Sequence, residues 1–294
     1  MWNQIAEQIT QATGKTFTIE NRQSVGGGCI NQGYRLSQGS RQYFVKLNQA
    51  VQISMFEAEA LGTQQIGNTQ TINVPQPICW GVMENSAYLV MEWLNLAGKT
   101  NPQSMVEMGR KLALMHQWIA PESYPGRHQF GWDMDNTIGS TPQPNPWTEN
   151  WAQFWQEHRI GHQFRLAKQR GENFDRAEEL MEKIPELLAD HQPQPSLVHG
   201  DLWGGNAAIS DTGEPIVFDP ATYFGDREVD LAMTELFGGF SAAFYQGYKD
   251  IWPLESGYEC RKTLYNLYHI LNHFNLFGGG YGSQANQMIR QLLN

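Results

Sequence analysis

Residues 199–206 read HGDLWGGN, and an apolar run at 216–218 then closes on Asp219 in IVFDP. A His, an acid, an Asn and two glycines around one Trp are too polar for a core element. The glycines also work against any regular helix or strand. The stretch is therefore a loop, and the fold must support it beside a strand end. That leaves a chemical question: what needs an Asp and an Asn five residues apart, followed by a second Asp eighteen residues after the first?

Bulk properties remove several answers. At 294 residues, with 40% hydrophobic and 12% aromatic residues, the chain can bury a real core as one large domain or two lobes. Its formal charge of −10 argues against a nucleic-acid or anionic-membrane partner, since phosphate backbones call for clustered Lys and Arg. No uninterrupted apolar run approaches the roughly 18 residues of a membrane span. The start, MWNQIAEQITQATGK, lacks the basic and apolar regions of a secretory signal. Cys29, Cys79 and Cys260 are odd in number and far apart, unlike a disulfide framework or a metal quartet. The expectation is a reduced, cytoplasmic protein.

Patterning divides the chain. A helix is expected over Trp2 to Thr13, with Gly14 as its stop. Strand candidates TFTIE, YRL and YFVKL follow, separated by the glycines 26–28 and the turn SQGS. A helix over 52–66 precedes two more strands, ICWGVM and AYLVMEWL, with Glu84-Asn85-Ser86 as the turn. Beyond Asn95 the periodicity is helical at 103–119, 148–169, 174–189, 241–251 and 258–277, around an irregular Pro- and Gly-rich patch at 130–147. The expected class is α+β, with an N-terminal unit over 1–92, a connector over 93–102 and a helical unit over 103–294.

Four separated features form one parts list. These are V-G-G-G-C-I-N at 25–31, Lys46 ending YFVK, an acid in FEAEA, and the pair HGDLWGGN and IVFDP. Phosphoryl transfer from ATP needs these parts. Glycines let the backbone approach phosphates, a Lys held by a Glu neutralises them, an Asp orients the acceptor hydroxyl, and an Asn with a second Asp holds magnesium.

Protein kinases carry H-R-D-L-x-x-x-N in the catalytic loop. His199, Asp201, Leu202 and Asn206 match it, with Gly200 in place of Arg. Asp219 begins DPA rather than DFG, and no A-P-E segment follows, which favours a small-molecule kinase of that bilobal fold. HGDLWGGN, GGGCIN, VPQPICWG, FGWDMDNTIGSTPQPN and NLYHILNHFNLFGGGY together resemble the fructosamine kinase (ketosamine-3-kinase) family, within the aminoglycoside phosphotransferase-like group. The resemblance runs from about Val25 to Tyr281, and the Trp-Gly-Gly insert sets it apart from generic relatives.

The resemblance implies a protein-kinase-like fold with a small antiparallel-sheet N-lobe and a mainly helical C-lobe. It implies phosphorylation of the 3-hydroxyl of ketoamines, a deglycation repair. By position, Asp201 is the catalytic base and Asn206 and Asp219 are the magnesium ligands. Lys46 contacts ATP phosphates, paired with Glu59 rather than Glu57. Gly26, Gly27 and Gly28 cover the phosphates, and the backbone of Met91, Glu92, Trp93 and Leu94 meets adenine. Asp230 is a buried anchor for the catalytic loop.

Plainer roles compete at other positions. His116 fits helix packing with a satisfied hydrogen bond, and His269 and His273, one turn apart, read as packing rather than a metal pair, with substrate contact as the alternative. Trp203 either packs beneath the loop or offers its indole face to a sugar or cation. Cys29, on an amide-rich loop, is a candidate for oxidation to an intermolecular disulfide that blocks ATP; otherwise the chain is read as a monomer. Competing functions are a kinase for an aminoglycoside- or choline-type amine, and a nucleotide-binding pseudokinase.

Overall fold

A computed structural model describes residues 1–26, 30–97 and 100–294. Five strands, β1 (Asn21–Val25), β2 (Gln32–Gln38), β3 (Arg41–Gln49), β4 (Pro77–Met83) and β5 (Ser86–Glu92), form an antiparallel sheet in the order β1-β2-β3-β5-β4. Side chains alternate across it. Val45, Leu47, Tyr88 and Val90 face helix α1 (Trp2–Thr13) and its buried Ile5 and Ile9. Phe44, Leu89 and Met91 face the other side, against Met55, Phe56 and Ala60 of α2 (Ile53–Asn68). The same alternation puts Lys46, register partner of Leu89, on the α2 side. A strand lysine thereby points at a helix instead of at water.

The second lobe is mainly helical. Helix α3 (Pro102–Gln117) starts under an Asn cap, Asn101 Oδ1 accepting from Ser104 N at 2.8 Å, with Pro102 in its first turn. Next come the hairpin β6 (Asn136–Ile138) and β7 (Thr141–Gln143), then α4 (Trp151–Phe154), a π-helical stretch over Trp155–Ile160, α5 (Gly161–Gln169) and α6 (Ala177–Leu187). Four short strands follow: β8 (Ser196–Val198), β9 (Ala207–Ile209), β10 (Pro215–Val217) and β11 (Tyr223–Gly225). The remaining helices are α7 (Glu228–Leu236), α8 (Ala242–Ile251), α9 (Tyr258–Phe277) and α10 (Tyr281–Leu293). Helices α3 and α8 cross closely at Gly109 and Gly247, where a Cβ would stand 2.7 Å from Tyr248 N and from the Val106 carbonyl carbon.

Several expectations need correction. TFTIE forms no strand and β1 begins only at Asn21; Phe17 is buried with the α1 core. The single helix expected over 148–169 is divided by the π-helical stretch. The patch at 130–147 contains the β6–β7 hairpin, and α7 and α10 add to the helices expected. Among the described residues no helix is long and apolar enough to cross a membrane.

Candidate active site

Two small ladders hold the site. Strand β8 pairs with β11, and β9 pairs with β10, so the loop 199–206 and the turn at Asp219 leave adjacent strand ends. The loop is fastened from below by Asp230, whose carboxylate accepts from His199 N at 2.7 Å and Gly200 N at 2.8 Å. His116 Nε2 lies 3.1 Å from Asp230 and its Nδ1 lies 2.8 Å from the Tyr248 hydroxyl. Burial alone would raise the Asp230 pKa, but hydrogen bonds from His116 and from the His199 backbone hold it below the usual carboxylate range. Burial lowers the pKa of His199, whose neutral ring donates from Nε2 to Phe218 O at 3.0 Å and accepts the Asp201 N–H on Nδ1 at 3.3 Å.

Two glycines shape the loop, Gly200 by necessity. Gly200 has φ +81°, and a Cβ there would be driven into the Ala221 carbonyl, 2.9 Å from its carbon. This is why glycine stands where protein kinases have Arg. Gly205 lies under the Trp203 indole, where a Cβ would stand 2.8 Å from Cε2, and the ring stays 41% exposed. The Trp-Gly-Gly insert is thus one folded unit that presents an indole beside Asp201.

Lys46, Glu59, Asp201, Asn206 and Asp219 converge. Lys46 Nζ lies 2.7 Å from Glu59 Oε1 and 2.6 Å from Asp219 Oδ1. Burial alone would lower the pKa of Lys46, yet the two carboxylates raise it well above its ordinary value. Glu59 is lifted to about 7 by burial, against the pull of Lys46. Glu57 is exposed and takes no part. Asp219 sits at φ 58°, a left-handed conformation that Asp tolerates and that is concentrated at functional sites. Asn206 Nδ2 donates to Asp201 O at 2.9 Å and Oδ2 at 3.1 Å. Burial first, and the Asp219 charge second, lift Asp201 to about 7.

The donor set suits magnesium. The Asn206 amide gives its N–H groups to Asp201, so its oxygen is the atom left for a cation, beside the half-exposed carboxylate of Asp219. Hard oxygen donors of this kind match a small divalent ion.

Other expected positions are less central. Gly26 is exposed, and Gly27, Gly28 and Cys29 lie outside the described residues. Met91 is buried against α2, whereas Glu92, Trp93 and Leu94 border a cavity of about 580 Å³. Neither Lys46 nor Asp201 borders that cavity. His269 is buried, its pKa lowered to about 3 mainly by burial, and His273 Nδ1 lies 2.8 Å from His269 O. Both pack, as expected. Sequence reasoning missed Gln65, Tyr124 and Trp132, which tie α2 to the irregular patch; only the oddity of that patch hinted at them.

A family model described as fructosamine kinase matches residues 1–294. A Synechocystis sp. protein assigned as a ketoamine kinase is 60% identical over 292 residues, covering 99% of this chain and 97% of that one. The chloroplastic protein-ribulosamine 3-kinase of Arabidopsis thaliana is 41% identical over 284 residues, covering 95% and 85%. The crystal structure of a Haemophilus somnus protein assigned as a fructosamine-3-kinase superposes with a TM-score of 0.92 at 33% identity, covering 100% and 98%. For the fold alone, a spectinomycin phosphotransferase superposes at 0.62 with 14% identity, covering 99% and 94%. The bilobal, kinase-like fold expected from the sequence is the fold observed.

Proposed function

This chain belongs to the fructosamine kinase family, and on that premise we propose that it transfers the γ-phosphoryl group of ATP to the 3-hydroxyl of ketoamines, a deglycation repair. The observation that supports this reading most is the meeting of Lys46, Glu59 and Asp219 with the Asn206–Asp201 pair at one place. In this reading residues 1–92 are the ATP-binding lobe, 93–102 the connector and 103–294 the lobe with the catalytic loop and substrate site.

Asp201 is the base. Asn206 occupies its Oδ2, so Oδ1 serves the substrate hydroxyl. Buried beside the Asp219 carboxylate, Asp201 is placed to take the proton as the hydroxyl oxygen attacks phosphorus. Lys46, held by Glu59, neutralises phosphate oxygens as their charge shifts. Asn206 and Asp219 would hold magnesium, which when bound supplies further charge neutralisation at the phosphates. Trp203 offers its exposed indole face to the sugar or its amine.

The test is phosphorus NMR of products from Mg-ATP with fructoselysine, ribuloselysine, kanamycin and choline. A 3-phosphate on a ketoamine is expected. Turnover on kanamycin or choline alone would move the substrate to another hydroxylated amine, and ATP binding without any turnover would make the chain a pseudokinase.

A further inference from the structure

In protein kinases the pairing of a strand lysine with a helix glutamate is a control point, set by a segment that follows the metal-binding Asp. This chain has no length for such a segment. From Asp219 it reaches β11 at Tyr223 and α7 at Glu228. Something else must hold α2 so that Glu59 stays on Lys46.

Two contacts beyond Glu59 do so. Gly62, one turn on, lies against Thr222, where a Cβ would stand 3.1 Å from Oγ1 and 3.2 Å from Cβ. Farther along, Gln65 Oε1 accepts from Trp132 Nε1 at 2.6 Å, and its Nε2 donates to the Tyr124 hydroxyl at 3.0 Å. That hydroxyl in turn donates to Asp133 Oδ2 at 2.8 Å, so each donor in the series meets an acceptor. Trp132 is itself fixed. Its N–H donates to Asn145 O at 2.9 Å, and its neighbour Gly131 exchanges backbone hydrogen bonds of 2.9 and 2.8 Å with Phe224 of β11. The irregular patch therefore connects α2 to the strand that follows Asp219.

We propose that Trp132 and Gln65 are positioning residues that lock α2 with Glu59 on Lys46, so that the pair is permanently assembled and needs no external signal. This rests on the reading of Lys46 and Glu59 as phosphate-binding machinery. A merely structural contact would lower stability without acting through Glu59, and a double-mutant cycle separates the two.

Trp132→Phe removes the donor together with part of a buried ring; Gln65→Leu, at a half-buried position, removes the acceptor for Trp132 and the donor to Tyr124, and is the second variant if the first does not fold. Each is made alone and with Glu59→Gln, and kcat, the KM for ATP, the KM for ketoamine and Tm are measured. Loosening this contact should lower kcat/KM for ATP about 3- to 10-fold, with ketoamine KM unchanged. In the Glu59→Gln background the same substitution should have less than about a twofold effect. Equal losses in both backgrounds, or no loss in a folded variant, would overturn the lock. Parental activity in Glu59→Gln alone would overturn the reading of the ion pair as well, a distinct outcome.

Discussion

Gly200→Ala tests whether the catalytic loop has its shape for the reason given. The added methyl would enter the Ala221 carbonyl, 2.9 Å from its carbon, on a backbone at φ +81°. A left-handed alanine costs about 1–2 kcal/mol, and a clash with fixed backbone adds about 1–3 kcal/mol. Ala221 cannot retreat easily, because its N–H donates to His199 O at 2.8 Å across the same turn. The loop must therefore shift, loosening the Gly200 N–H from Asp230 and moving Asp201 next to it. Differential scanning calorimetry should show Tm lower by roughly 3–8 °C. Steady-state phosphotransfer at permissive temperature should fall about 100-fold, the cost of misplacing a reacting group by about 1 Å. A variant with parental Tm and kcat would refute the steric argument and, with it, the explanation for glycine at this position.

Two other perturbations read different parts of the molecule. Trp203→Ala should raise the ketoamine KM about 3- to 30-fold with the KM for ATP unchanged, as expected for loss of an indole face over a sugar or cation; a change in ATP KM alone would place Trp203 elsewhere. His191 Nε2 lies 2.7 Å from Asp226 Oδ2 and Nδ1 lies 3.1 Å from Glu255 Oε2. Burial disfavours its charge, but Asp226 and Glu228 outweigh that and raise its pKa above the ordinary 6.5. A raised pKa means the folded state holds the proton more tightly. The stabilisation is thus fully present below about 6.5 and lost as pH rises through the higher folded value. The Tm deficit of His191→Gln relative to the parent should accordingly be larger at acidic than at alkaline pH, and a deficit that grows with pH would contradict it.

Much of the site could be read from the chain because chemistry fixes residue types at fixed spacing. Asp201, Asn206 and Asp219 leave adjacent strand ends whatever the loops between them do. Lys46 was named from the parts list and the resemblance, and strand alternation explains its placement, since the residue between two core positions faces the opposite side. Choosing Glu59 over Glu57 rested on resemblance, and packing agrees: Glu57 is exposed and Glu59 buried. Helix α7 was not legible because nearly all of Glu228–Leu236 is buried, which leaves no amphipathic stripe. In α10 the signal was present at Ala285, Ile289 and Leu292, within a run of glutamines and glycines that hid it. Three-residue strands such as β6 and β7 carry no period to detect. The Gln65–Trp132 bond joins residues far apart in sequence, beyond the reach of local pattern.

The most direct measurement is single-turnover phosphotransfer by Asp201→Asn, with ATP affinity measured on the same sample. The substituted amide keeps an oxygen to accept from Asn206, so the loop should survive while the base is lost. Formation of the ketoamine 3-phosphate should slow by about 10²- to 10⁴-fold with the Kd for Mg-ATP nearly unchanged. Turnover close to that of the parent would show that Asp201 is not the base and that the proposed chemistry is wrong.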